Sequence, residues 1–368
     1  MRCYYDQQVF MVQANGGISR YFFELIRHLG ANDAIQPTLF AGFYLSRLPL
    51  RSLPRCRVLG LPRRFRIGAL YGGVDTLCRA FNRRWLRRTV PDIYHPTYYR
   101  TAQHPRGTRM VVTVYDMLHE KFPQYFAADG TVEAKRVACA AADALICISD
   151  SVRRDLLGYY PELASKASVV YLAAGAEFSA TLPLNYTAAQ SSSPYALFVG
   201  ARGGYKGFDV LLEAWPRIAR ARPDLRLICV GGGSFSPMEA SEIERRGLSG
   251  IISQRRVDDT QLAELYRGAA VFIYPSRYEG FGLPVLEAMA CGCPVVCCRA
   301  SSLPEVGGSA AAYFEPGDAT DLAAVVAGVL EDEARRTEMV RAGYEQRARF
   351  SWDECARQTL AVYQRCTA

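Results

Sequence analysis

Apolar residues along this chain recur with two different spacings, and the two alternate almost throughout. Short, nearly continuous apolar runs predict buried strands at Cys3–Tyr5, Pro37–Phe40, Asp92–His95, Met110–Tyr115, Ala144–Ile148 and Ser168–Leu172. Between the first two lies "GGISRYFFELIRHL", where Ile18, Tyr21, Phe22, Leu25, Ile26 and Leu29 follow an i, i+3, i+4, i+7 series and predict a one-sided helix. Residues 179–194, "SATLPLNYTAAQSSSP", are rich in Ser, Thr and Pro and read as a linker. The alternation then restarts. "YALFVG" reads as a strand, "ARGGYKG" as a loop, and "FDVLLEAWPRIARA" as a helix turning Phe208, Leu211, Leu212, Trp215 and Ile218 inward. "LRLICVGGG", Val271–Tyr274 and Pro294–Cys298 are further strands, and the chain reads as helical from Thr320 to its end. Strands alternating with helices imply an α/β fold with parallel sheets. With 368 residues, the expectation is two doubly wound, Rossmann-like domains facing across a cleft. Their bounds are 1–178 and 195–350, and a last helix, 351–368, is expected to return to the N-terminal domain.

One stretch carries candidate chemistry. In "YEGFGLPVLEAMACGCPVV", Gly280, Gly282 and Pro284 forbid a continuous helix, whereas Pro284 suits a first helical position because its missing N–H costs nothing there. The helix then runs from Val285 through Glu287 to Met289 and stops near Gly292 and Pro294. Glu279 falls on the loop entering the helix, and Glu287 is expected to face out from its first turns. The amides of Phe281, Gly282 and Leu283 lie between them at the positive end of the helix dipole, where phosphate binds readily. A diphosphate flanked by two hydroxyl-rich groups, that is, a nucleotide sugar, fits this pattern. An ordinary strand–loop–helix with a surface glutamate and a helix-start glutamate fits it as well.

Composition narrows the class. No stretch reaches the ~20 apolar residues needed to span a bilayer, and the N-terminus enters a strand without a signal-peptide pattern. A cytoplasmic protein is expected. The twelve cysteines are scattered, and Cys291-x-Cys293 lacks zinc-ligand spacing, with none of the four histidines nearby. Reduced thiols and no structural metal are therefore expected. The net charge of +8 is uneven: between Arg47 and Arg88 stand twelve arginines against Asp75 alone, interleaved with Leu, Phe and Trp. Such a surface suits an anionic membrane face or nucleic acid, or it is simply a solvated basic face.

Taken together, these segments resemble the retaining glycosyltransferases of family 4, with the two-domain GT-B fold. The resemblance rests on the E-x7-E pair Glu279 and Glu287, on "GGISRYFFEL", on "VGARGGYKGFDVLLEA" and on "TQLAELYRGAAVFIYPS" leading into the pair. "YDQQVFMVQANGGISRYF", "VYDMLHEKFPQYF" and "SSLPEV" are similar to a bacterial branch that builds surface polysaccharides. The resemblance spans essentially the whole chain. It implies transfer of a hexose, with mannose from GDP-mannose preferred, to a glycan or lipid-linked glycan, with retained configuration and without a metal cofactor. A UDP-glucose-type donor and an inactive nucleotide-sugar binder are the alternatives. A membrane-anchored acceptor makes an anionic membrane surface the partner of the Arg47–Arg88 segment, peripheral at the inner face of the plasma membrane; no nucleic acid is expected.

Carried onto these positions, the resemblance gives Glu279 the donor hexose and Glu287 the ribose. The amides of Phe281, Gly282 and Leu283 would meet the sugar and diphosphate. Arg202 and Lys206, on either side of Gly203-Gly204, would neutralise the departing diphosphate. Gly16 and Gly17 would let the backbone approach the ligand, and main-chain groups around Arg256 and Val257 would hold the base. The chain departs from the pattern where many members carry a histidine: Tyr115 stands there. Tyr115, Asp116 and His119 are then candidates for placing the reacting sugar or acceptor. His95 joins them, directed to the cleft by strand parity; a structural His119 and a core His95 fit equally.

Overall fold

The computed structural model describes residues 1–14, 16–63, 71–100, 107–126, 129–178 and 194–368. The chain forms two compact units, Met1–Leu172 with Trp352–Ala368, and Ala173–Ser351. Most of the expected linker, residues 179–193, lies outside the described residues, as do Arg64, Phe65, Arg66, Ile67 and Leu70 of the basic segment.

The first unit is built on seven strands: β1 (Arg2–Tyr5), β2 (Gln36–Tyr44), β3 (Arg57–Pro62), β4 (Ile93–His95), β5 (Arg109–Val114), β6 (Ala144–Cys147) and β7 (Ala167–Val169). They pair in parallel in the order β3-β2-β1-β4-β5-β6-β7. β1 and β5 read as apolar runs because both faces of the sheet are covered. The helix Gly17–Gly30 buries Tyr21, Phe22, Leu25, Ile26 and Leu29, while Ile18 is only half-buried. The last helix, Trp352–Thr367, packs on that helix, with Trp352 beside Tyr21 and Asp353 bonded to His28 at 2.7 Å. β3 was not expected as a strand. It opens on an arginine, Arg57, whose guanidinium lies over the Trp85 ring at 4.5 Å, and Gly60 and Pro62 interrupt its apolar run.

The second unit has β8 (Tyr195–Val199), β9 (Arg226–Val230), β10 (Ile252–Arg255), β11 (Val271–Tyr274), β12 (Val295–Cys298) and β13 (Ala311–Phe314). They form a parallel sheet in the order β10-β9-β8-β11-β12-β13. The helix Phe208–Ala221 buries Phe208, Leu211, Leu212, Trp215 and Ile218, as its pattern predicted. This unit begins at Ala173 rather than at residue 195, and it takes in the end of the expected N-terminal domain, where Phe178 is fully buried edge-to-face on Tyr266. All twelve cysteines are free, and ten of them, including Cys291, Cys293, Cys297 and Cys298, are buried as small hydrophobes.

In both sheets the strand order reverses once: between β1 and β4, and between β8 and β11. The loops leaving the carboxyl ends of those strands border the crevice where such folds bind ligands.

Candidate functional site

At the reversal in the second sheet, three predicted or neighbouring polar groups meet. β11 ends at Tyr274, whose hydroxyl donates to Glu279 Oε1 at 2.6 Å. The loop after β8 carries Lys206, whose Nζ reaches the same oxygen at 2.7 Å. Burial, and then the Glu279 carboxylate beside it, push the Tyr274 phenol well above its ordinary range, so it stays a donor. Oε1 thus holds two donors, and among the described residues no hydrogen bond reaches Oε2.

The loop around Glu279 is anchored from behind. The Ser301 hydroxyl accepts from the Glu279 amide at 2.8 Å, and Ser302 Oγ lies 2.9 and 2.8 Å from the carbonyl oxygens of Glu279 and Phe281, which share its one hydrogen. The two loops also interlock: the Arg277 amide donates to the Tyr205 carbonyl at 2.7 Å. Gly207, at φ +69°, sits so close to Pro275 that a Cβ there would lie 2.1 Å from its carbonyl oxygen.

The helix runs over Leu283–Ala290, with Gly282 as N-cap at φ +103° and Pro284 in its first turn. No hydrogen bond among the described residues takes the amides of Gly282 and Leu283. Glu287 does not face out as expected: it is buried, and Tyr266 OH lies 3.4 Å from its Oε2. The helix Asp259–Gly268 packs on that face and turns Tyr266 toward it. Arg256 and Val257 lie on the loop between β10 and that helix, at the sheet edge. No described hydrogen bond connects them to Glu279 or Glu287.

Arg202 is not brought to the Lys206–Glu279 pair. Its guanidinium turns the other way, with Nε on Glu239 Oε1 at 2.8 Å and Nη1 on the Gly231 carbonyl at 2.7 Å. Its Nη2 donates to the carbonyls of Gly233 and Ser234 at 3.0 and 2.9 Å. The ring of Phe235 lies under it at 4.8 Å. Burial raises the Glu239 carboxyl, but hydrogen bonds from Arg202 and Ser236 outweigh this and hold it below its ordinary value.

In the first unit, Gly16 caps the helix Gly17–Gly30. A Cβ on Gly16 would strike Gln13, whose Oε1 accepts from the Ser19 amide at 3.1 Å; Gly17 faces open space. His95 is a core histidine. It is fully buried, Nδ1 is 2.7 Å from Tyr363 OH, Nε2 is 2.8 Å from Thr113 Oγ1, and burial pushes its imidazole down to about 3. Tyr115 is likewise buried and donates to the Thr97 carbonyl at 3.0 Å. Of the two readings open for His95, the core one is what the structure shows, because a sheet covered on both faces makes strand parity uninformative about the crevice. Asp116 is half-buried and accepts from the Leu118 amide, while its carbonyl accepts from Lys135. The His119 ring packs tilted against Phe126 at 4.3 Å, and among the described residues its buried Nδ1 has no hydrogen-bond partner.

The loops after β1 and β4 enclose instead a cavity of about 370 Å³. Gln8, Gln13, Asp75, Tyr98, Tyr99, Arg100 and Asp129 are among its lining residues, and none was singled out from the sequence. Its signal was available in "PTYYR", which leaves the carboxyl end of β4 at the reversal point. Gln8 braces the wall, donating to Asp6 Oδ2 at 2.7 Å and accepting from the Arg100 amide at 3.0 Å.

The basic segment is partly absorbed by the fold. Arg55 pairs with Asp33, Arg63 donates to the carbonyls of Phe43 and Met11, and Arg79 and Arg100 share Asp75. Among the described residues, Arg79, Arg83, Arg84, Arg87 and Arg88 line an open groove on the helix Tyr71–Thr89. Leu77 and Phe81 are exposed on the same helix. Among the described residues, no carboxylate pairs with the last four arginines, and no helix is long and apolar enough to cross a membrane.

Comparison with known proteins agrees with this architecture. Residues 15–174 match the model for Glycosyltransferase Family 4, and residues 186–346 match that for Glycosyl transferases group 1. The O-antigen chain mannosyltransferase B of Escherichia coli is 29% identical over 369 residues, covering 94% of this chain and 95% of the relative. Among solved structures, sucrose-phosphate synthase from Thermosynechococcus elongatus superposes with a TM-score of 0.78 at 20% identity, covering 99% of this chain and 98% of that one. Anabaena HepE, solved in complex with UDP-glucose, superposes with a TM-score of 0.73 at 18% identity, covering 98% and 99%.

Proposed function

Because the chain belongs to the GT-B glycosyltransferases, with a family 4 N-terminal half and a group 1 C-terminal half, we propose that it transfers a hexose from a nucleotide diphosphate sugar to a hydroxyl of a glycan or lipid-linked glycan acceptor, retaining the anomeric configuration. Mannose from GDP-mannose is the preferred donor, supported by the likeness to an O-antigen chain mannosyltransferase along nearly the whole chain. The observation that carries the reading is the convergence of Lys206 and Tyr274 on one oxygen of Glu279 at the β8/β11 reversal.

In this reading Glu279 Oε2 accepts from hydroxyls of the donor hexose. An ammonium carries three hydrogens, so Lys206 can hold Glu279 and still meet the diphosphate. The amides of Gly282 and Leu283, with that of Phe281, point their helix end at the same anion. Glu287 takes the ribose, and main-chain groups near Arg256 and Val257 take the base. As the bond from the anomeric carbon to the diphosphate oxygen breaks, the acceptor oxygen attacks from the same face. Its proton passes to the departing oxygen, so no protein nucleophile is required. Lys206 stabilises the charge that builds there. The cavity beside Tyr98 and Asp75, with Gly17 open nearby in the chain, serves the acceptor, and Asp116 and His119 remain candidates for its placement. The groove of Arg83, Arg84, Arg87 and Arg88 docks on an anionic membrane surface carrying that acceptor.

A thermal-shift panel of nucleotide sugars, followed by NMR of the product, tests this. GDP-mannose should stabilise the protein by RT ln(1 + [L]/Kd), about 2.7 kcal/mol at a hundredfold excess over Kd. Stabilisation by UDP-glucose alone would replace the donor, and binding without transfer would leave a nucleotide-sugar binder. An inverted anomer in the product would overturn retention.

A further inference from the structure

We infer that Arg202 is a positioning residue, which locks the loop after β8 to the loop after β9 and so holds Lys206 in place, rather than a contact of the diphosphate. The inference rests on the reading that Lys206 meets that diphosphate.

A guanidinium has five N–H donors. Four of those on Arg202 have partners within 3.0 Å: Glu239 Oε1 and the carbonyls of Gly231, Gly233 and Ser234. The fork that could grip a phosphate is thus already occupied, and the side chain is only 2% exposed. The rings of Phe235 and Phe208 lie 4.8 and 6.0 Å from its guanidinium carbon. To reach a ligand, Arg202 would have to abandon three carbonyls and a carboxylate together.

The surrounding residues are fitted to this arrangement. Gly231, Gly232 and Gly233 all have positive φ, which curls successive carbonyls onto one cation. A Cβ on Gly232 would lie 2.8 Å from Arg202 Nη1, so glycine there is a condition of the clamp. Glu239 does double duty. It completes the capping box with Ser236 at the start of the helix Pro237–Arg245, and it receives Arg202. At the other end of the Lys206 loop, Gly207 is wedged against Pro275. Lys206 therefore sits between two fixed points, and Arg202 is one of them.

Binding of GDP and of UDP, measured by calorimetry, decides between positioning and contact. Arg202→Lys keeps a positive charge but cannot span four acceptors. Positioning predicts that Arg202→Lys, Arg202→Met and Glu239→Ala each weaken the bound diphosphate by about tenfold or more, and that Arg202→Met with Glu239→Ala together lose little beyond either alone. Ser236→Ala, which removes only the cap, should leave affinity within about twofold. Contact predicts the reverse: Arg202→Lys retains most of the affinity, and Glu239→Ala leaves it unchanged or improved. That result would overturn the inference. If the unmodified chain binds neither nucleotide, the reading of the site fails instead. The clamp is then judged by thermal melts, where additive losses from Arg202→Met and Glu239→Ala would refute it.

Discussion

Replacing Glu279 by Gln separates the two jobs given to that carboxylate. The substitution keeps the shape and one acceptor oxygen but removes the charge that Lys206 and Tyr274 share at 2.7 and 2.6 Å. Hydrogen bonds to a charged group contribute ~1.5–3 kcal/mol, against ~0.5–1.5 for neutral ones. Losing the difference at two bonds costs about 2 kcal/mol. Solvent screens little of this, since the Lys206 and Glu279 side chains are 17% and 13% exposed. At ~2–4 °C per kcal/mol for a unit of this size, the melting temperature should fall by about 4–8 °C. Free GDP or UDP should bind within about twofold of the unmodified protein, because Oε2 is assigned to the sugar and not to the nucleotide. Turnover should fall by about tenfold or more, as that contact tightens in the transition state. Calorimetry with nucleotide and with intact donor, beside a melting curve, measures all three. Equal loss of affinity for free nucleotide and donor would refute the sugar assignment, and an unchanged melting temperature would refute the shared-oxygen geometry.

Glu287→Ala should weaken donor and free nucleotide alike, by about tenfold to a hundredfold for one or two bonds to a carboxylate; unchanged nucleotide affinity in a binding titration would remove Glu287 from the ribose. Transfer should persist in excess EDTA, because Lys206 and the helix amides supply positive charge where the diphosphate departs; a loss restored by Mg²⁺ or Mn²⁺ would contradict this. His95 contributes an acid sensitivity: its folded value near 3 lies below the unfolded value of ~6.5, so the unfolded chain binds the extra proton between these limits. Stability from this group is complete above about pH 6.5 and declines toward pH 3 by up to ~1.4 kcal/mol per pH unit, and denaturant titrations of His95→Gln should show a shallower decline. Co-sedimentation with anionic vesicles should weaken with salt and with Arg83, Arg84, Arg87 and Arg88 changed to Glu; equal binding to neutral vesicles, or none to either, would leave a solvated basic face.

Much of the fold could be read from periodicity, and the exceptions share a cause. The helix Phe208–Ala221 and strands β8, β9, β11 and β12 carry uninterrupted apolar patterns because they pack in the middle of the unit. The strands that were missed, β3, β10 and β13, each lie at a sheet edge. β10 buries only Ile252 of its four residues, and β3 fully buries none. An edge strand is defined by the ladder of its neighbour, which lies elsewhere in the sequence. Propensity in a window of four to six residues cannot report it.

The site was legible to the same depth and no further. Spacing placed Glu279 on a loop and Glu287 in a helix, because Gly282 and Pro284 act locally. It could not give the direction in which a side chain points once its backbone is placed. Glu287 turns inward because Tyr266 packs against its face from another helix. Arg202 turns away from Lys206 because a curled run of glycines about 30 residues on presents carbonyls to it. In each case the deciding partner is distant in sequence and polar, and neither property leaves a periodic trace. Lys206 and Glu279 meet for the opposite reason. Both lie on short loops leaving β8 and β11, and the reversal of strand order between those strands is what brings the two loops together.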